Sequence, residues 1–353
     1  MIDLDDERAL RAADPSSMLG AVAALPADVR DAYANGRAVA GLPVLEDVTA
    51  VVVCGMGGSA VAGDVLRVSF RERLGVPVDV NRSPLLPAFA GPHTLVLVSS
   101  YSGATAETTA AFDEAVERGC RILAVTSGGP LADACSARGL ATVLVPGGFQ
   151  PRAALGHLTF AALGALEAGG LLPRLDGDVD EVVRELETLA AELGPSVSTA
   201  SNPAKRLAAW FGDRVPVIWG ADGVPAVAAM RWKTQLNENG KVPAFAASMS
   251  ELDHNEVVGW TAPFGERFAV VGLRDQAEPA GIGPRFPLSA DVVRRAGGAY
   301  DEVHARGRST LARLLSLVLI GDFTSCYVGL RRGVDPTPVV AIDGLKAALA
   351  ERA

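Results

Sequence analysis

Short apolar runs alternate with helix-length segments through the first half of the chain, and this alternation constrains the fold more than any other feature. The segments between the runs, such as 60–70 and 106–119, carry apolar residues at helical spacing. Strands joined by crossover helices lie parallel in one sheet. We therefore predict a doubly wound parallel sheet of flavodoxin-like order. The predicted strands are Ala50–Cys54, Val76–Val80, Thr94–Ser99, Ile122–Thr126 and Ala141–Val145.

The second half repeats this pattern loosely, although the halves do not align well enough to show an internal duplication. VPVIWG at 215–220 and residues 267–273 are predicted strands, Trp210 to Asp213 a turn, and 309–328 a long buried helix. The predicted fold class is α/β, with two doubly wound parallel-sheet domains. The predicted division is an N-terminal helical segment 1–45, a first domain 46–175, a connecting helix and linker 176–201, a second domain 202–330, and a C-terminal segment and helix 331–353.

Composition narrows the partners and the chemistry. A formal charge of -9 over 353 residues argues against nucleic acid, whereas a local pocket still binds a small phosphate ester. Four cysteines without CxxC spacing and four dispersed histidines predict no metal site, so we expect no cofactor. The N-terminus is acidic, and the apolar run 314–320 is shorter than a membrane span. We expect a cytoplasmic protein without a membrane partner.

A glycine-rich loop follows the first predicted strand, in the sequence VVVCGMGGSAVAGD. Gly57 and Gly58 let the backbone turn sharply and approach an anion at the start of the next helix, which favours a phosphate. The spacing Gly55-x-Gly57-x-x-Ala60 also matches a dinucleotide fingerprint, with Asp79 expected at the end of the next strand as the ribose partner. The loop alone leaves both interpretations open.

Hydroxyl side chains follow the third predicted strand, at the edge where open α/β sheets bind ligands. They also suit a simpler role, because Thr105 and Thr108 lie where a helix start would be capped. Two such loops on neighbouring strands favour a shared phosphate site. The predicted phosphate-binding residues are Gly57, Gly58, Ser59, Ser100, Ser102 and Thr105.

Six motifs in order along the chain resemble one family. They are GMGGSAVAGD, SYSGATAET, TSGGPLAD, PRAALG, NENGK and ELDHNEVVGW, and the likeness runs from about residue 18 to Lys346. The chain resembles the bifunctional phosphoglucose/phosphomannose isomerases of the sugar isomerase (SIS) superfamily. The resemblance implies two SIS-type domains, a homodimer, and interconversion of glucose 6-phosphate, and of mannose 6-phosphate, with fructose 6-phosphate through an enediol.

The resemblance also implies the catalytic residues. Glu238 in NENGK matches the base that moves the proton between carbons 1 and 2, with Asn237 and Asn239 placed to orient it. His254 in ELDHNEVVGW matches the ring-opening imidazole, supplied by the partner subunit. Arg152 in PRAALG matches the cation that stabilises the enediolate.

Lys346 resembles a lysine that assists ring opening and ranks below the other three. A helix-end lysine is also a common surface cation. Thr337 is a candidate for the threonine that accommodates both epimers.

The chain departs from the family pattern at several positions. Ala104 stands where an Asn is usual, which puts part of the hydrogen bonding around the ligand in doubt. Asp253 precedes His254 in place of an Asn, and would raise the pKa of that imidazole if their side chains approached. Two alternatives therefore stay open. One is a non-catalytic SIS protein that binds a sugar phosphate, and the other is an NAD(P)-dependent oxidoreductase.

Overall fold

The first sheet contains five parallel strands, and its order confirms the flavodoxin-like prediction. A computed structural model describes residues 1–351, so the last two residues of the predicted C-terminal segment 331–353 lie outside the described residues. The sheet order is β2-β1-β3-β4-β5. Two strands match their predicted bounds, and β2 begins two residues later than predicted. The strands are β1 Ala50–Cys54, β2 Val78–Asn81, β3 Thr94–Ser99, β4 Arg121–Thr126 and β5 Ala141–Leu144.

Helices precede this sheet and connect its strands. Crossover helix α5 begins directly after the second loop with predicted phosphate-binding residues, whereas α4 begins within the first, so that Gly58 and Ser59 form its first turn. Helix α3 packs closely on α7, because Gly36 lets the backbones approach: a Cβ there would lie 2.0 Å from the Ala161 carbonyl oxygen. The helices are α1 Glu7–Ala13, α2 Met18–Ala23, α3 Leu25–Arg37, α4 Gly58–Ser69, α5 Ala106–Glu117, α6 Gly129–Ala137 and α7 Leu155–Ala168.

The second sheet is parallel, with the order β7-β6-β8-β9, so its four strands wind as the first four of the first sheet do. Sequence reasoning missed two of these strands, because β7 is rich in small residues and β9 is a polar edge strand. The predicted turn Trp210–Asp213 is confirmed at Gly212 and Asp213 but wrong at its start, since helix α9 (Pro203–Phe211) continues through Phe211. The strands are β6 Val215–Ala221, β7 Phe245–Met249, β8 Phe268–Arg274 and β9 Ala299–His304.

Helix α12 lies in the interior of the protein, packed against α8, α9 and α10, as its apolar sequence predicted. Its length and composition would suffice to cross a membrane, but 94% of its apolar window is buried inside the protein. Burial on all sides explains the absence of a polar face. The remaining helices are α8 Asp176–Leu193, α9 Pro203–Phe211, α10 Val224–Glu238, α11 Arg285–Arg295, α12 Thr310–Arg331 and α13 Val340–Ala350.

Candidate active site

Arg152 lies in a short 3₁₀ turn, Pro151–Ala154, and joins three distant segments of the chain. Its Nε donates to Asn239 Oδ1 at 2.6 Å, and its Nη2 donates to the carbonyl oxygens of Pro336 and Thr337, both at 2.8 Å. The residue is only 3% exposed. Burial lowers the pKa of Arg152. A planar guanidinium with several fixed donors suits such a position better than a flexible ammonium.

Glu238 is the last residue of α10 and faces Arg152. Its Oε2 lies 3.5 Å from Arg152 Nη1, and its side chain keeps about a third of its surface exposed. The expected orientation of Glu238 by its neighbours is wrong, because Asn239 binds Arg152 and Asn237 donates to the Val242 carbonyl. The helix end turns both amides toward other partners. The arrangement nevertheless brings the predicted base and the predicted cation together.

Lys241 adds a second cation that the sequence analysis overlooked, although it closes the NENGK motif. Its backbone adopts a positive φ of 52°, and its ammonium donates to the carbonyl oxygens of Glu238 and, at 2.8 Å, Pro336. Burial, followed by the nearby charge of Arg152, lowers the pKa of Lys241. The carbonyl oxygen of Glu238 thus accepts from Lys241, and that of Pro336 accepts from both Lys241 and Arg152.

The two predicted phosphate loops meet at the carboxyl ends of β1 and β3. The backbone N–H of Tyr101 donates to Ser59 Oγ at 3.3 Å. A Cβ on Gly55 would lie 2.9 Å from the Ser99 carbonyl oxygen, so the small residue permits the close approach of the two loops. Parallel strands end at the same sheet edge, which brings loops far apart in sequence into contact.

Hydroxyls in the β3 loop bond to one another and to the loop backbone. Ser100 Oγ donates to Thr105 Oγ1 at 3.2 Å, and Ser102 Oγ accepts from the Ala104 N–H at 3.3 Å. Thr105 occupies the N-cap of α5, but its side chain makes no capping hydrogen bond. Gly57, at the N-cap of α4, has no side chain to cap with. Both helices therefore begin without a side-chain cap, which weakens the helix-capping alternative.

Tyr101 connects the β3 loop to the segment that precedes the Arg152 turn, and sequence reasoning did not identify it. Its hydroxyl accepts from the Phe149 N–H at 2.9 Å and donates to the Pro146 carbonyl at 3.1 Å. The N-terminus of α4 also lies against the Arg152 turn, because a Cβ on Gly58 would be 3.0 Å from the Pro151 carbonyl oxygen. An aromatic in a Ser-rich loop was the only sequence feature that pointed to Tyr101. The predicted phosphate loops and the turn that carries Arg152 thus lie next to each other.

A buried ion pair supports Arg152 from behind. Arg231 contacts Asp322 through bonds of 3.1 and 2.8 Å, and its Nη2 also donates to the Arg152 carbonyl at 2.7 Å. Burial raises the pKa of Asp322, against the opposing effect of Arg231. A cavity of about 10 Å³ lies among these side chains. The pair fixes the backbone that presents the Arg152 guanidinium.

His254 lies away from this pair in its own chain. Glu238 precedes β7, whereas His254 follows the carboxyl end of β7, so a strand of about 17 Å separates them. His254 is exposed, and its neighbour Asp253 instead contacts Arg285 and Ser289, at 3.1 and 2.7 Å. The structure thus places the Asp253 carboxylate on other partners than the imidazole. Within one chain, His254 and Glu238 do not meet.

Thr337 and Lys346 both belong to the C-terminal segment. Lys346 is exposed on α13. Thr337 lies at Arg152, and its Oγ1 is buried without a hydrogen-bond partner. A buried hydroxyl without a hydrogen-bond partner is unusual in a folded protein. Only Thr337 of these two touches the site.

The structure does not support a dinucleotide site, because Asp79 is not where a residue that binds the ribose would lie. Asp79 lies inside β2, paired with Val52, rather than at the end of the strand. The strand starts later and ends at Asn81, which moves Asp79 to an exposed mid-strand position. Within residues 1–351, no group of three His, Cys, Asp or Glu side chains is placed to hold a metal ion.

Comparison with known proteins identifies a family that the chain resembles over most of its length. Residues 200–349 match the family described as the bacterial phospho-glucose isomerase C-terminal SIS domain. A bifunctional phosphoglucose/phosphomannose isomerase from Caldicellulosiruptor bescii is 38% identical over 95% of this chain and 99% of its own length. The protein of the same name from Thermoplasma acidophilum is 32% identical over 84% of this chain and 88% of its own length.

A solved structure shares the whole fold. A hypothetical protein from Thermus thermophilus superimposes with a TM-score of 0.74 at 21% identity, over 98% of this chain and 94% of its own. At 21% identity this likeness shows the fold alone. The two sequence relatives are more than 30% identical over most of the chain. The identity to these two sequence relatives, over most of both chains, shows that the chain belongs to the bifunctional phosphoglucose/phosphomannose isomerase family.

Proposed function

We propose that this chain is an aldose–ketose isomerase that interconverts glucose 6-phosphate, and mannose 6-phosphate, with fructose 6-phosphate. The observation that carries the proposal is the Arg152–Glu238 pair, held 3.5 Å apart beside two uncapped helix starts. The C. bescii relative bears the name of that activity. A binding protein without catalysis has no need of a carboxylate base beside a buried cation.

The proposed proton transfer gives each member of the Arg152–Glu238 pair a role. The Glu238 carboxylate removes the proton from carbon 2 of the open-chain aldose and returns it to carbon 1. The electron pair left by that proton forms the enediolate, whose negative charge lies next to Arg152. A buried guanidinium in a fixed position stabilises this charge more strongly than water does, because the surrounding dielectric is low. Moving the hydroxyl proton between the two oxygens completes the isomerisation.

The phosphate end of the substrate is proposed to bind where α4 and α5 begin. Backbone N–H groups at a helix start carry partial positive charge and point toward an anion. Ser59, Ser100, Ser102 and Thr105 add hydroxyl donors around the same point. This part of the site binds the substrate without touching the reacting carbons. Thr337, with its unpartnered hydroxyl beside Arg152, is placed to contact the sugar.

We further propose a homodimer in which His254 serves the partner's site. The separation of His254 from Glu238 along β7 supports this arrangement. Because His254 does not reach Glu238 of its own chain, the imidazole proposed to open the sugar ring has to come from the partner. A two-fold axis would bring each exposed His254 to the other subunit. The protein is proposed to act in the cytoplasm.

The test of the base is Glu238→Gln, compared with Glu117→Gln at the exposed C-terminus of α5. A general base contributes roughly 10²- to 10⁴-fold, so kcat should fall by that factor for Glu238→Gln alone. Coupled assays with all three sugar phosphates give the rates. Isomerisation in D₂O should place deuterium on carbon 2 of recovered aldose. Full activity of Glu238→Gln would remove Glu238 from this role.

The test of the shared site mixes Glu238→Gln chains with His254→Ala chains. A mixed dimer carries one doubly altered site and one unaltered site, and random pairing makes half the dimers mixed. Activity should therefore recover to about a quarter of the wild-type value. Verified subunit exchange without recovery would show that His254 does not act across the interface.

A further inference from the structure

Helix α13 presents an apolar face that no other part of the described residues 1–351 covers. Ile342, Leu345 and Leu349 recur at helical spacing, and Leu345 is 63% exposed. Lys346 follows Ile342 by four residues, so it lies on the same face. A contiguous apolar helix face in water indicates a surface that another element covers. The lysine among those residues would meet the same partner.

An apolar groove of about 360 Å³ lies on the outer side of the second sheet. Its wall includes the edge strand β7, and Phe245 and Phe264 are each more than half exposed. Glu256 lines the groove, and its carboxylate accepts from Trp219 Nε1 at 3.0 Å. The lining residues are Val217, Phe245, Ala246, Glu256, Gly259, Trp260, Phe264, Gly265 and Phe268.

The helix face and the groove each lie close to a residue of the proposed shared site. Helix α13 starts three residues after Thr337, whose carbonyl binds Arg152, so its first turn lies within about 11 Å of that contact. Glu256 in the groove is two residues from His254. If the partner's imidazole reaches the Arg152–Glu238 pair, the partner's groove arrives beside the start of α13.

We infer that α13 of each subunit lies in the apolar groove of a second copy of this chain. The inference rests on the proposed function, because it uses the shared site to bring the two surfaces together. The helix is about 16 Å long, and a two-fold dimer buries two such helices, which supplies a substantial part of a standard interface. Docking also brings the Lys346 ammonium to the side of the protein that carries the Glu256 carboxylate. It would thereby carry Lys346 from solvent to the edge of the shared site.

The experiment is a disulfide cross-link between differently tagged, co-expressed chains. One chain carries Leu345→Cys and the other Phe264→Cys, and mild oxidation should join them into a covalent heterodimer. Leu288→Cys on α11, which is 67% exposed, replaces Leu345→Cys as the matched control and should give no heterodimer. The four native cysteines are buried or half-buried, so the wild-type chain should give no cross-link.

The outcomes separate this inference from the proposed function. No cross-link above the Leu288→Cys control, in a dimer that isomerises sugar phosphates, overturns the helix docking and leaves the function standing. Both cysteines in one chain joining within a monomer would place α13 on its own groove and also overturn it. A specific heterodimer cross-link supports the docking even if the same sample fails the isomerase assay. Leu345→Asp should then weaken dimerisation in sedimentation, whereas Leu288→Asp should not.

Discussion

Replacement of Arg152 by Gln tests the electrostatic core of the proposed mechanism. The change removes a unit positive charge that lies 3.5 Å from Glu238 Oε2 and is almost wholly buried. At about 4 Å and an effective dielectric constant near 20, two unit charges interact by on the order of 4 kcal/mol. Loss of one fixed donor to a developing oxyanion typically costs roughly 10²- to 10³-fold in kcat. We expect a fall in kcat of that size.

The Michaelis constant should change much less. In the proposed site the phosphate loops bind the substrate through the starts of α4 and α5 and through their hydroxyls, and none of these groups hydrogen-bonds to the Arg152 side chain. An interaction made mainly in the transition state lowers kcat and kcat/KM together. The assay is steady-state isomerisation of fructose 6-phosphate, with competition by inorganic phosphate as a separate measure of the phosphate site.

Two further variants separate the loss of charge at Arg152 from general effects of replacing an arginine. Arg152→Lys keeps a positive charge but loses the fork that bonds Asn239, Pro336 and Thr337, so it should retain more activity than Arg152→Gln. Arg138→Gln is the matched control, because exposed Arg138, at the end of α6, also donates to a backbone carbonyl, that of Ala134, at 3.0 Å. Circular dichroism checks that each variant folds. A folded Arg152→Gln enzyme with kcat within about 3-fold of wild type would refute the electrostatic role.

Three further predictions concern binding and stability. Ser100→Ala should raise KM roughly 2- to 10-fold with kcat preserved, as expected for one neutral hydrogen bond, and an unchanged KM would exclude Ser100 from the phosphate site. Burial, and after it the nearby charge of Asp31, raise the pKa of Asp28 to about 6, so ionisation of Asp28 lowers stability as pH rises from about 4 to 6. Asp28→Asn should therefore stabilise by at most about 3 kcal/mol at pH 8 and little at pH 4 in urea unfolding, whereas exposed Asp113→Asn should show no such dependence. A pH-independent effect would contradict this. Gly103→Ala places a Cβ 1.9 Å from the Gly128 carbonyl oxygen at a φ of 65°, so it should lower the melting temperature and raise KM, whereas Gly119→Ala, in open space at a similar φ, should change only stability.

The local pattern of the sequence was sufficient for much of the fold. Alternating strands and helices require parallel crossovers, and this predicted the order of the first sheet and the bounds of β1 and β3. The loops after those strands were predicted as the ligand edge for the same reason. The pattern failed at β7 and β9, because small and polar residues in edge strands lack the apolar runs that identify buried strands.

The motifs of the sequence named Arg152 and Glu238, but only the tertiary structure decided what holds them. Arg152 bonds to Asn239 and to the carbonyl of Thr337, which are 87 and 185 residues away, and backbone carbonyls carry no mark in a sequence. The same packing set His254 apart from Glu238 in its own chain, since the direction of β7 fixes which end each occupies. Local periodicity follows from bonds between near neighbours along the chain, whereas a site assembled from distant segments depends on how the sheets and helices pack.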